Sequence, residues 1–171
     1  KGITAIAAHQ LVERGELELD APVARYWPEF AQKGKASIPV RMLLNHRAGL
    51  AAVTRPLAPE DLFDWSTMTR ALEEQEPWWE PGADHGYHAL TYGWLVGELI
   101  RRVSGMSVGR YVREHIAAPL GAEFWIGLPE ELDARTAELH QGPISSDGPN
   151  LMERIAAEPE GVLAKAFGNP P

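Results

Sequence analysis

The stretch that decides the reading is Pro81-Gly82-Ala83-Asp84-His85-Gly86-Tyr87-His88-Ala89-Leu90-Thr91-Tyr92-Gly93-Trp94-Leu95-Val96-Gly97-Glu98-Leu99-Ile100-Arg101-Arg102-Val103. With Trp78 and Trp79 before it, the Pro and Gly content of 78–86 marks a loop with fixed turns, and Tyr87 ends that loop. From His88 the pattern becomes helical. Ala89, Tyr92, Gly93, Val96, Leu99, Ile100 and Val103 form a wide apolar stripe, with Thr91, Glu98, Arg101 and Arg102 on the opposite face. The spacing predicts a core helix over 88–103, in which Gly93 and Gly97 let another element come close. Its most apolar run, 89–100, is too short to span a bilayer and contains Glu98, so no membrane span is expected.

Upstream, Ile3, Ile6, Ala7 and Leu11 repeat at helical spacing, predicting a helix to about Arg14 that Gly15 closes. No N-cap residue precedes it, which reads as a chain that starts inside a helix. After Asp20-Ala21-Pro22, Val23, Tyr26 and Trp27 suggest a short helix, and Ser37-Ile38-Pro39-Val40 starts another through Met42, Leu43 and Leu44 to Gly49. Leu62, Trp65, Met68 and Leu72 mark a longer helix beyond Pro59 that ends near Glu76-Pro77. Downstream, Ser107 is an N-cap for a helix with Val108, Tyr111, Val112 and Ile116 inward, stopped by Pro119 and Gly121. Phe124-Trp125-Ile126 reads as a short strand, 141–150 as a Gly, Pro and Ser-rich loop, and the tail from Leu151 as partly helical, ending at Asn169-Pro170-Pro171.

The composition narrows the function classes. At 171 residues and 44% hydrophobic, the chain is long and apolar enough for a core. Sixteen Lys+Arg against 24 Asp+Glu give a net charge of -8, with no basic block to follow a phosphate backbone, so nucleic acid is not an expected partner. The absence of cysteine removes disulfide and thiolate chemistry but suits reducing and oxidising compartments alike. No pattern sets an oligomeric state.

No complete catalytic motif lies inside the chain: there is no Gly-x-Ser-x-Gly elbow, phosphate loop or His-Glu-x-x-His helix, and Lys33, Lys35 and Lys165 have no serine three positions earlier. His85 and His88, with Asp84, lack a third ligand and read as loop and rim residues; His46 and His140 read the same way, and no metal or cofactor is expected. His140-Gln141-Gly142 reads as a chance match to a His-x-Gly motif. Trp78 and Trp79 read as core anchors, with Trp79 also a candidate cleft wall beside His88 and Ala89.

Three patterns taken in order are more specific: Lys1 heading an amphipathic helix, Leu43-Leu44-Asn45-His46-Arg47-Ala48-Gly49-Leu50, and Pro81-Gly82 followed by Tyr87. Together with Leu17-Glu18-Leu19-Asp20-Ala21-Pro22-Val23, Tyr26-Trp27-Pro28-Glu29-Phe30 and Gly93-Trp94-Leu95-Val96-Gly97-Glu98, they resemble the serine β-lactamase and penicillin-binding-protein superfamily, most closely the family VIII carboxylesterases. The likeness runs from Lys1 to about Leu120. It implies that Lys1 is the lysine of a Ser-x-x-Lys pair, its serine three residues upstream of this chain. Residues three apart on a helix share a face, and a buried lysine brought down to about 7 to 8 can act as a base. Tyr87 matches the tyrosine of the second motif, where a phenol shares protons with that serine and lysine, and a helix N-terminus would favour a phenolate there. Lactamases and transpeptidases carry an asparagine two places later; here the residue is Ala89, which cannot pair with a substrate amide and points to an esterase.

The resemblance further implies a mainly α segment of the α/β fold of the family. It makes residues 1–171 a single partial domain: the nucleophile's helix after its first turn, plus most of the all-helical lobe, with the antiparallel sheet and the third motif mostly outside. It implies acyl transfer on a small-molecule ester or amide by the full-length enzyme, with residues 1–171 alone inactive. The rival enzyme readings are a β-lactamase or a D-alanyl-D-alanine carboxypeptidase, and the rival of another class is a non-catalytic helical binding module.

Overall fold

A computed structural model describes residues 1–140, 142 and 151–169 of the chain. Helix α1 (Gly2–Glu13) is rich in alanine, the best helix former, and turns Thr4, Ala7, Ala8 and Leu11 inward. It stops where Gly15 takes the left-handed conformation (φ 73°), which lets Gly15 N–H donate to Val12 O and Glu16 N–H to Leu11 O. The short helix expected near Val23 is instead two 3-10 turns, Val23–Arg25 and Pro28–Ala31. An isolated antiparallel bridge between Pro22 and Pro39 pins this segment, with Val23 N–H donating to Ile38 O (2.8 Å) and Val40 N–H to Ala21 O (3.0 Å).

Helix α2 (Val40–Leu44) is shorter than the expected run to Gly49, because the chain turns at His46, whose φ is +65°. Beyond Pro59 the expected single helix is split into a 3-10 turn, Pro59–Phe63, and helix α3 (Trp65–Glu74). The cause of the split is Asp64, whose carboxylate accepts from Ser66 N–H (2.8 Å) and Thr67 N–H (3.1 Å) and so starts a new helix. At the other end of α3, the wholly buried Lys35 donates to Glu73 O (2.8 Å) and Gln75 O (2.6 Å), satisfying carbonyls the helix leaves free; burial, then Lys33, push its ammonium down to about 8.

Helix α4 (Thr91–Ser104) is the central element and packs against α1, α2 and α3. It begins at Thr91 and not at His88: His88–Leu90 form a turn whose groups bond to the 46–50 segment. Two of its predicted solvent-facing residues are in the core, Thr91 at 4% and Glu98 at 1% exposure, while Gly93 is exposed. Each inward polar group has partners. Thr91 Oγ1 donates to Leu50 O (2.7 Å), and Glu98 accepts from Trp65 Nε1 (2.7 Å), Arg101 and Arg102. Gly97 has a packing role as expected: a Cβ there would lie 2.7 Å from Trp65 Cη2.

Ser107 caps helix α5 (Val108–Val112), which runs into a π-helical turn, Arg113–Ala117, and turns Tyr111, Val112 and Ile116 inward. Helix α5 packs on both α4 and α1. The expected strand at Phe124–Ile126 does not form, and among the described residues no strand lies beside it; Trp125 instead stacks under the Arg113 guanidinium, 4.3 Å from the ring centroid. Helices α6 (Leu151–Ala157) and α7 (Val162–Gly168) complete the chain. Apart from Gly142, the Gly-, Pro- and Ser-rich loop read over 141–150 lies outside the described residues, as do Pro170 and Pro171, and with Gln141 goes the His-x-Gly match. Among the described residues there is no strand beyond the single bridge, and no helix is long and apolar enough to cross a membrane.

Candidate active site

Two stretches that the sequence marks separately, 43–50 and 77–89, are bonded into one unit. Trp78 N–H donates to Gly49 O (2.8 Å), Gly82 N–H to Arg47 O (3.0 Å) and Gly86 N–H to His46 O (3.2 Å), while the Arg47 guanidinium reaches the Gly82 carbonyl. Glycine is required at 49: its φ is +75°, and a Cβ would lie 2.7 Å from Trp79 O. This double loop carries Tyr87 over the first turn of α1. Lys1 Nζ sits 4.8 Å from the centroid of the Tyr87 ring and 5.8 Å from that of Tyr92, and donates to Ala89 O (2.6 Å).

Lys1 and the Tyr87–Ala89 segment, some 86 residues apart in sequence, therefore meet at one place. Tyr87 is 60% exposed and lies four residues before α4, so it does not stand at the start of that helix as its sequence reading placed it. Lys1 Nζ is held by one carbonyl and two ring faces.

Histidines form the floor. His88 is fully buried; its Nε2 accepts from Leu50 N–H (3.0 Å) and its Nδ1–H donates to Gly86 O (2.6 Å), which sets the neutral tautomer. Burial is the largest cause holding this imidazole down at about 4, with His46 adding to it against the Gly86 carbonyl. With its ring buried and both nitrogens engaged, His88 does not face the cleft as the rim residue read from the sequence. His46 lies between Tyr87, His88 and Tyr92, with ring centroids 5.1, 5.4 and 5.1 Å away, and its Nδ1 accepts from His88 N–H (3.2 Å). Burial, then the Lys1 and His85 charges, lower its basicity. Among the described residues no cluster of three His, Asp or Glu side chains could hold a metal ion.

Trp79 stands as a wall, its ring edge-on to His88 at 6.0 Å and flat enough against the loop that a Cβ on Gly86 would lie 2.6 Å from its Cη2. Beside it an apolar cavity of about 190 Å3 is bounded by Ala51, Trp79, Gly86 and Tyr87 on one side and by Leu163 and Phe167 of α7 on the other. Helix α7 is fastened by Asn169, whose Nδ2 donates to Val53 O (2.7 Å) and Arg55 O (2.8 Å) and whose Oδ1 accepts from Leu57 N–H (3.0 Å). Sequence reasoning finds neither His46 as the centre of the ring cluster nor α7 as a wall. A wider groove of about 690 Å3 over α3 and α4 is crossed by ion pairs among Glu29, Glu73, Glu98, Arg101 and Arg102, and these belong to the fold.

The sequence profile of the family described as Beta-lactamase matches residues 1–162. The chain belongs to the β-lactamase family. It is 36% identical over 166 residues to the esterase/beta-lactamase LipL of Mycobacterium tuberculosis, covering 97% of this chain and 35% of LipL. Among solved structures it matches a penicillin-binding-protein homologue from Caulobacter crescentus (TM-score 0.80, 35% identity, 97% of this chain and 45% of that one). It also matches a family VIII carboxylesterase (TM-score 0.79, 40% identity, 81% of this chain and 39% of that one). The chain spans about a third of the length of the curated relatives it matches. A helical segment of the β-lactamase and penicillin-binding-protein fold is thus what these residues form.

Proposed function

We propose that the full-length protein is a serine hydrolase that works through an acyl-enzyme, a carboxylesterase on small esters, and that residues 1–171 supply the nucleophile's helix after its first turn and most of the helical lobe. The observation that carries this reading is the meeting of Lys1 and Tyr87, with the ammonium 4.8 Å from the phenol ring centroid. On this reading the nucleophile is a serine three residues before Lys1. Its hydroxyl attacks the ester carbonyl and its proton passes to the Lys1 side chain in its neutral amine form, beside the Tyr87 phenol; the alcohol leaves with that proton, and water then releases the acid. Backbone amides would hold the oxyanion. Ala89 favours esters over lactams, since its methyl offers nothing to a substrate amide. The experiment is to treat the full-length protein with a fluorophosphonate and map the adduct by mass spectrometry. An adduct on the serine three residues before Lys1, with loss of p-nitrophenyl acetate turnover, is expected; an adduct elsewhere that abolishes turnover overturns the reading.

A further inference from the structure

The cavity beside Tyr87 has a shape and chemistry that say what enters it. One wall is the Trp79 indole, which can lie close only because residue 86 has no side chain. The facing wall is a turn of α7 carrying Leu163 and Phe167, the latter 46% exposed. Apart from the edge of Tyr87, every lining side chain is apolar, and no charged group lines the cavity. Such a space rejects ammonium, carboxylate and amide groups, which would lose hydrogen bonds to water without replacement, and accepts hydrocarbon. At about 30 Å3 for a water-sized group, 190 Å3 takes roughly six of them. The wall is not a free helix lying on the surface, since Asn169 ties the end of α7 to the 53–57 segment by three hydrogen bonds.

We propose that this cavity holds a compact apolar substituent of the ester substrate, up to about six heavy atoms long, and that Leu163 and Phe167 of α7 set the length accepted. The proposal rests on the serine-hydrolase reading and adds to it the size and polarity of the substrate. The substituent is either the acyl chain or the alcohol, and two substrate series separate them: p-nitrophenyl esters from acetate to decanoate, and acetate esters of alcohols from ethyl to octyl. In the series that uses the cavity, kcat/KM of the full-length protein should rise about fourfold per added methylene up to about six heavy atoms and then level or fall. Leu163→Ala should move the optimum to longer chains, and Leu163→Trp should lower the hexanoate-to-acetate ratio, or its hexyl-to-ethyl counterpart, at least about tenfold. Opposite shifts from one position cannot come from simple loss of folding, which lowers all substrates together. Turnover of short esters with a length profile that neither variant moves, or that both move the same way, overturns the proposal alone. Absence of any ester turnover by the folded full-length protein overturns the serine-hydrolase reading and this proposal with it.

Discussion

At the scale of single residues, Tyr87 is the side chain on which the proposed chemistry can be tested with least damage to the fold. It is 60% exposed and its ring is held by a cation and a histidine face, so removing the hydroxyl leaves the packing in place. Tyr87→Phe in the full-length protein should lower the acylation rate by about two to four powers of ten, the usual cost of a lost acid–base group. Stopped-flow release of p-nitrophenol checks this, with circular dichroism to show an unchanged helix content. Near-normal acylation would make Tyr87 a rim aromatic with its hydroxyl in water. Ala89 contributes differently: its carbonyl, available at any residue type, receives Lys1, and its side chain matters only through what it cannot bond.

At the scale of elements, α4 carries a buried carboxylate. Glu98 is 1% exposed; burial would raise its carboxyl, but hydrogen bonds from Arg101, Trp65 and Arg102 outweigh that and hold it below its usual value. Glu98→Ala strands the Trp65 indole N–H and takes the carboxylate from Arg101, while Arg102 keeps Glu29 at 2.7 Å. The expected loss is about 2 kcal/mol, the cost of a buried donor left unmatched, since Arg101 reaches solvent and Arg102 keeps a second carboxylate; urea unfolding of the full-length protein measures it. A loss under about 0.5 kcal/mol, the size of a surface substitution, would contradict the network's role. This helix also shows how far the sequence could be read. Its existence, its end near 103 and its Gly97 contact follow from the apolar stripe, while its start falls three residues later than the stripe suggests. Its polar face misleads, because Thr91 and Glu98 are polar groups satisfied inside the core, and a periodicity argument assigns polar residues to water. Asp64 and His46 deceive for a related reason: each redirects the backbone locally, one through a cap and one through a positive φ, without disturbing the hydrophobic spacing. Lys1 and Tyr87 were legible as a pair through their family motifs, whereas His46 and α7 join the site only through folding over long stretches of chain.

At the scale of the whole molecule, His88 makes stability depend on pH. The imidazole titrates near its ordinary value of 6.5 when unfolded and at about 4 when folded, so below 6.5 the unfolded chain binds the extra proton. The contribution is fully present above pH 6.5 and is lost progressively down to about 4. From pH 7 to pH 5 the full-length protein should lose about 2 kcal/mol through this group, and His88→Gln should shrink that difference although it lowers stability at pH 7. Urea midpoints at the two pH values give the comparison; an equal pH dependence in both proteins would remove His88 as its source. The placement of α1 has a consequence during synthesis. Its apolar face is covered by α4 and α5, which follow it by roughly 80 to 110 residues, and at about 5–20 residues per second the ribosome takes some 4 to 20 s to supply them. Throughout that interval Leu11 and its neighbours lack the contacts of α4 and α5, so a nascent chain stalled before residue 91 would present this helix face to chaperones.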